Sequence, residues 1–171
     1  MSLDVLSNLI GYQLVWFIVV SCAGNGRVWP AVAAELIFLF WQLVISRRRL
    51  SDLKLMALAV VLGILIDGGL AAFNLSRYAS ATPAVPPGGA PLWIVALWAC
   101  FSTTVPKSLK WLRGRKSLAF VFGAIGAPLA YLGAQRGWSA VTLVAPEWRG
   151  ILWLAITWGI SIVLMLATLV E

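Results

Sequence analysis

The sequence predicts an all-α fold: a polytopic membrane protein built as a single bundle of about six transmembrane helices, with both termini in the cytoplasm. Three observations carry that reading. Of 171 residues, 61% are hydrophobic and 11% charged, where a soluble domain has about 25% charged residues. The apolar residues fall into blocks close to the length of about 20 residues that a helix needs to cross the hydrocarbon core. The basic residues, which give a net charge of +7, gather at the ends of those blocks. Six spans take about 120 residues and leave only short connections, so residues 1–171 read as one transmembrane helical domain.

The expected spans follow in order. The first covers 5–23 and stops at the turn-forming Gly24-Asn25-Gly26-Arg27. The second covers 29–46; Pro30 suits its first turn, where a missing N–H is harmless, and Arg47-Arg48-Arg49 closes it. The third covers 53–75. Residues 76–90 hold Pro83, Pro86, Pro87, Gly88 and Gly89 and read as an extended loop. The fourth span covers 91–112, the fifth 117–135 and the sixth 148–170, with a short apolar interfacial stretch over 137–147.

Nine basic residues (Arg47, Arg48, Arg49, Lys54, Lys107, Lys110, Arg113, Arg115, Lys116) fall on one side of this arrangement and four (Arg27, Arg77, Arg136, Arg149) on the other. The positive-inside rule makes the first side cytoplasmic. Trp29, Trp93, Trp111, Trp138 and Trp148 lie near span ends, as an aromatic belt requires. The N-terminus lacks the basic stretch of a signal peptide, so the first block is expected to remain as a helix.

The same pattern excludes function classes. Basic residues confined to span ends meet lipid headgroups rather than nucleic acid. The absence of histidine removes the commonest general base, histidine-ligated haem and His-containing zinc sites. Cys22 and Cys100 both fall within spans, which argues against a disulfide framework or a metal site. No cofactor is implied. Membrane lipids are the expected partners; a protein partner or homo-oligomer is not readable from the sequence.

Two acids inside the spans are the candidate catalytic residues, because a carboxyl near a bilayer's centre costs about 2.5–3.5 kcal/mol. At 1.5 Å per residue, Glu35 lies about 9 Å and Asp67 about 12 Å from the same surface, so they share a depth in the outer half of the bilayer. Gln42 and Asn74 each lie seven residues from one acid, two turns along the same face, and two such polar stripes can face each other. Gln13 and Tyr131 reach a similar depth. Acids in one pocket can divide acid and base roles; alternatively each makes an interhelical hydrogen bond and locks the bundle. Asp67 ranks above Glu35 because Gly68 and Gly69 follow it and let backbone or ligand approach. In span four, Thr103 and Lys107 stand four apart on one face beside Pro106, where Lys107 binds a lipid phosphate or a carboxylate, or else snorkels to the headgroups. In span five, Pro128 kinks the helix one turn before Tyr131.

Asn8-Leu-Ile-Gly-Tyr-Gln-Leu-Val-Trp-Phe, Asp67-Gly-Gly, Leu97-Trp-Ala-Cys-Phe-Ser-Thr-Thr-Val-Pro-Lys-Ser-Leu-Lys-Trp-Leu and Gly126-Ala-Pro-Leu-Ala-Tyr-Leu-Gly-Ala follow one another along the chain. Taken in that order, these motifs resemble a bacterial inner-membrane family of unknown function, DUF2878. The resemblance implies a multi-pass inner-membrane protein connected with lipid metabolism, and it assigns no role to any residue. The leading functional expectation is an enzyme or accessory factor in membrane-lipid metabolism with a polar site around Asp67 and Glu35. A small proton-coupled transporter and a structural or assembly subunit are the alternatives. The lipid reading carries one difficulty: the acids lie toward one leaflet and Lys107 toward the other.

Overall fold

The structure, a computed structural model, describes residues 3–169. Five of its helices are long and apolar enough to cross a membrane: α1 (Leu3–Gly24), α2 (Val28–Ile45), α3 (Arg49–Ala72), α5 (Lys116–Trp138) and α6 (Trp148–Ala167). Their outward faces are apolar, with Leu36, Ile37, Phe40 and Trp41 of α2 all more than half exposed. An apolar surface of that extent belongs against lipid rather than water. The expected end of the last span at Val170, and the termini themselves, lie outside the described residues.

The remaining element departs from expectation. The predicted span over 91–112 is helical only through α4 (Leu92–Ser102), continues as turns, and ends in a 3-10 turn at Lys110–Leu112. Two causes act together. Pro106 disfavours helical backbone at Val105. The hydroxyls of Ser102, Thr103 and Thr104 donate to the carbonyls of Ala99, Cys100 and Phe101 at 2.7, 2.8 and 2.7 Å, satisfying acceptors that a continuing helix would have used. Irregular backbone is tolerated at membrane depth where protein surrounds it, and Ser102, Thr103, Thr104 and Val105 are all buried. α4 is the centre of the bundle: it packs against α1, α2 and α3, and Trp93, Trp98, Ala99 and Cys100 are nearly inaccessible.

The connections at one end form a small β cap. Strand β1 (Ser76–Tyr78) pairs antiparallel with β4 (Val141–Leu143), placing Arg77 opposite Thr142. Strand β2 (Ala84–Val85) pairs with β3 (Ala90–Pro91). The loop over 76–90 and the apolar stretch over 137–147 thus fold onto each other. Ser80 fastens the cap to the bundle by donating to the Ala23 carbonyl at 2.7 Å. The four-residue basic set lies at this capped end and the nine-residue set at the other.

α5 and α6 form the most extensive helix pair. Gly123 permits it: a Cβ there would lie 2.5 Å from the Trp158 carbonyl oxygen. Such close approach is what small residues supply between membrane helices. α1 and α5, by contrast, meet only lightly, and the space left between them matters below.

Candidate functional site

Asp67 is wholly inaccessible and accepts from three side chains on three other elements. The Tyr78 and Tyr131 hydroxyls donate to Oδ1 at 2.8 and 2.5 Å, and Trp98 Nε1 donates to Oδ2 at 2.7 Å. Strand β1 supplies Tyr78, α4 supplies Trp98 and α5 supplies Tyr131, so one carboxyl on α3 ties four elements together. Burial pushes the Tyr78 phenol well above its ordinary value, which keeps it a donor. Glycines shape the surroundings. A Cβ on Gly63, one turn before Asp67, would lie 2.5 Å from Trp98 Cδ1; one on Gly69 would lie 2.5 Å from Trp153 Cζ2. Gly68 faces the backbone of Ala90. The glycines after Asp67 therefore seat an indole and a strand.

Glu35 is also wholly inaccessible, but neither of its carboxyl oxygens has a partner among the described residues. The two acids do not face each other. α4 stands between their helices, turning Trp98 to Asp67 while Cys100 Sγ donates to the Glu35 backbone carbonyl at 3.7 Å. The expected shared acid pocket is thus replaced by two separate environments, because the central position of α4 keeps α2 and α3 apart.

A second polar cluster lies toward the basic end. Asn8, wholly buried, donates to Gln42 Oε1 at 3.1 Å and to Thr103 Oγ1 at 2.9 Å. Lys107 donates to the same Gln42 oxygen at 2.5 Å. Thr103 and Lys107 are therefore joined through Gln42 and Asn8 rather than by facing each other on one helix. Asn8 was not among the predicted site residues; its signal is that it shares a depth with Gln42 and Thr103.

Asn74 belongs to neither cluster. α3 ends at Ala72, and Asn74 is exposed with φ 50°, the left-handed conformation that asparagine adopts at helix ends. Its seven-residue spacing from Asp67 has no meaning beyond the last helical turn. Gln13 is exposed and reaches neither acid. Trp93, expected in the aromatic belt, is 2% exposed and donates to the Ser80 carbonyl at 2.9 Å, because the cap folds over it.

Between α1, α4, α5 and α6 lies a half-open groove of about 470 Å³. Aromatic rings form much of its wall, among them Trp16, Trp93, Trp98, Phe101, Phe122 and Trp158. Trp98 and Trp158 stack at 4.0 Å between centroids. Tyr12, Gln13 and Tyr131 are its polar members toward mid-depth, and Thr104 and Ser108 toward the basic end; neither Asp67 nor Glu35 lines it. The volume falls in the range of small-molecule sites, about 300–1,000 Å³. Asp67 therefore stands behind the wall, fixing two side chains, Trp98 and Tyr131, that form it. Among the described residues no group of histidine, cysteine, aspartate or glutamate could hold a metal ion.

No curated protein and no solved structure matches the chain. The profile of one family, described as "Protein of unknown function (DUF2878)", matches residues 5–164. That match takes in every helix and strand just described, apart from the extreme ends of α1 and α6, and on it the chain belongs to the DUF2878 family.

Proposed function

We propose that this protein binds the hydrocarbon chain of a membrane lipid in the groove between α1 and α5, and that it serves lipid metabolism in the bacterial inner membrane as an enzyme or accessory factor. The observation that carries the reading is the groove itself: a half-open, largely aromatic and aliphatic space of about 470 Å³ in a bundle of membrane-length helices. Its walls offer an apolar chain contacts that a flat helix surface does not. Tyr131 and Trp98, held by Asp67, give that wall a fixed shape. A proton-coupled carrier draws less support, because both intramembrane acids lie outside the groove's lining.

Gly126 provides the test. It lines the groove, and a Cβ placed there meets nothing within 4 Å. Gly126→Phe is expected to fill the space without strain, leaving expression and thermal stability near wild type while lipid co-purifying with the protein falls severalfold. Unchanged lipid content, measured by mass spectrometry of the extracted protein, would count against the reading.

In this reading the nine-residue basic end faces the cytoplasm and the β cap faces outward. Thr82, exposed in the cap, supplies the check. Thr82→Cys is expected to react with an impermeant thiol reagent from the outer side of the membrane; reaction from the cytoplasmic side alone would invert the topology.

A further inference from the structure

Gln13 stands at the middle of α1, about 15 Å from either helix end. It is exposed on the lip of the groove, and its carboxamide has no hydrogen-bond partner among the described residues. Its neighbour Tyr12 also lines the groove. The Tyr12 ring packs edge-on against Phe101 with centroids 5.8 Å apart, and its hydroxyl, within electrostatic reach of Cys100 and Glu35, likewise makes no hydrogen bond among the described residues. At that depth neither side chain can reach headgroups or bulk water, and unbranched hydrocarbon offers neither a donor nor an acceptor. A carboxamide both donates and accepts, as does a phenol. Tyr131, also in the wall, already spends its proton on Asp67, while the Trp158 indole N–H, a donor only, is buried without a partner among the described residues.

We infer that the groove selects a lipid whose chain carries a hydrogen-bonding oxygen partway along its length, a hydroxyl or carbonyl group, and that Gln13 and Tyr12 recognise that oxygen. The inference rests on the lipid-binding reading above and gives it a ligand class. Apolar walls on either side accept the chain before and after the oxygen, and the two side chains on α1 meet it at mid-membrane. Selectivity follows from the cost of leaving polar groups unpaired: a chain without the oxygen fits the walls but leaves Gln13 and Tyr12 without partners.

The experiment compares ricinoleate, which carries a mid-chain hydroxyl, with oleate, which lacks it, on the full-length protein in detergent. Affinity is read by native mass spectrometry and by shift in thermal unfolding. Wild type is expected to prefer ricinoleate by about tenfold, a usual return for hydrogen bonds made in a desolvated site. In Gln13→Leu with Tyr12→Phe the preference should collapse toward unity while oleate binds as before. Because neither polar group makes a hydrogen bond within the protein that could be lost, this variant is expected to fold normally. Equal binding of both lipids by wild type would overturn the inference and leave the lipid-binding reading standing. Binding of neither, with Gly126→Phe also without effect on bound lipid, would remove both. If Gln13→Leu instead separates a dimer and leaves the ricinoleate preference intact, Gln13 belongs to a contact between copies and the inference fails.

Discussion

Replacing Asp67 by leucine is expected to destabilise the protein by roughly 4 kcal/mol, because the change strands two buried donors and weakens the bonding of a third. Tyr78, Trp98 and Tyr131 all point at this carboxyl; Tyr78 keeps the longer bond to the Asp67 backbone carbonyl at 3.4 Å, whereas Trp98 and Tyr131 lose the acceptor they use. Asp67→Asn is the more instructive variant. The remaining amide oxygen can still accept from both tyrosines, which share Oδ1, but the new NH2 group faces the Trp98 N–H, donor against donor. A loss of about 1–2 kcal/mol is expected for asparagine, clearly between wild type and leucine. Thermal unfolding in detergent, followed for the three proteins side by side, gives the order. Asparagine indistinguishable from wild type would mean that the carboxyl can present a proton to one partner, and the acceptor-only arrangement described here would be wrong. Lipid binding should fall in step with stability, since Trp98 and Tyr131 are wall residues of the groove.

Glu35 should respond in the opposite sense. Its carboxyl is wholly buried and both oxygens lack a partner among the described residues, so the folded state carries the full desolvation penalty of the group. Glu35→Leu is expected to raise stability by about 2 kcal/mol. A natural sequence that keeps such a residue trades stability for activity. The second half of the prediction is therefore that the stabilised variant loses biological function, scored by complementation of a deletion strain. Destabilisation by leucine would identify an unseen partner for the carboxyl; stabilisation with full complementation would leave Glu35 without any assignable part in function.

These two acids also mark how far the sequence could be read. That each is interior follows from insertion cost alone, and the structure buries both. Tyr131 was placed near Asp67's depth by residue counting along span five, and it does meet Asp67. What counting could not supply is lateral order. Depth says nothing about which helix stands beside which, so the insertion of α4 between α2 and α3, which separates the acids, left no trace in span lengths. Trp98 and Tyr78 were missed for different reasons. Trp98 sits within a span, away from the ends where tryptophan is usual, and that position is a signal in itself. Tyr78 lies in a proline-rich loop whose pairing with β4 brings together segments more than sixty residues apart, which no local pattern encodes. The error over Asn74 is smaller in kind: a helix end moved by three residues turns an apparent stripe member into a terminating residue.

The shortness of α4 bears on how the protein is made. Eleven helical residues fall below the length at which an apolar segment is read as a span, and the stretch that follows carries Lys107 and Lys110. The neighbouring helices α1 to α3, α5 and α6 each meet the length requirement on their own. Entry of α4 into the bilayer thus falls to its companions. The seat that Gly63 leaves for Trp98, the acceptor offered by Asp67 and the amide of Asn8 on Thr103 compensate the polar groups of α4 and of the turn after it within the bundle. A late step in biogenesis is the expected consequence, in which a segment too short to insert alone is drawn in by its neighbours. Substitutions at Gly63 or Asn8 would act during synthesis, yielding chains with α4 stranded outside the membrane and open to quality-control proteolysis.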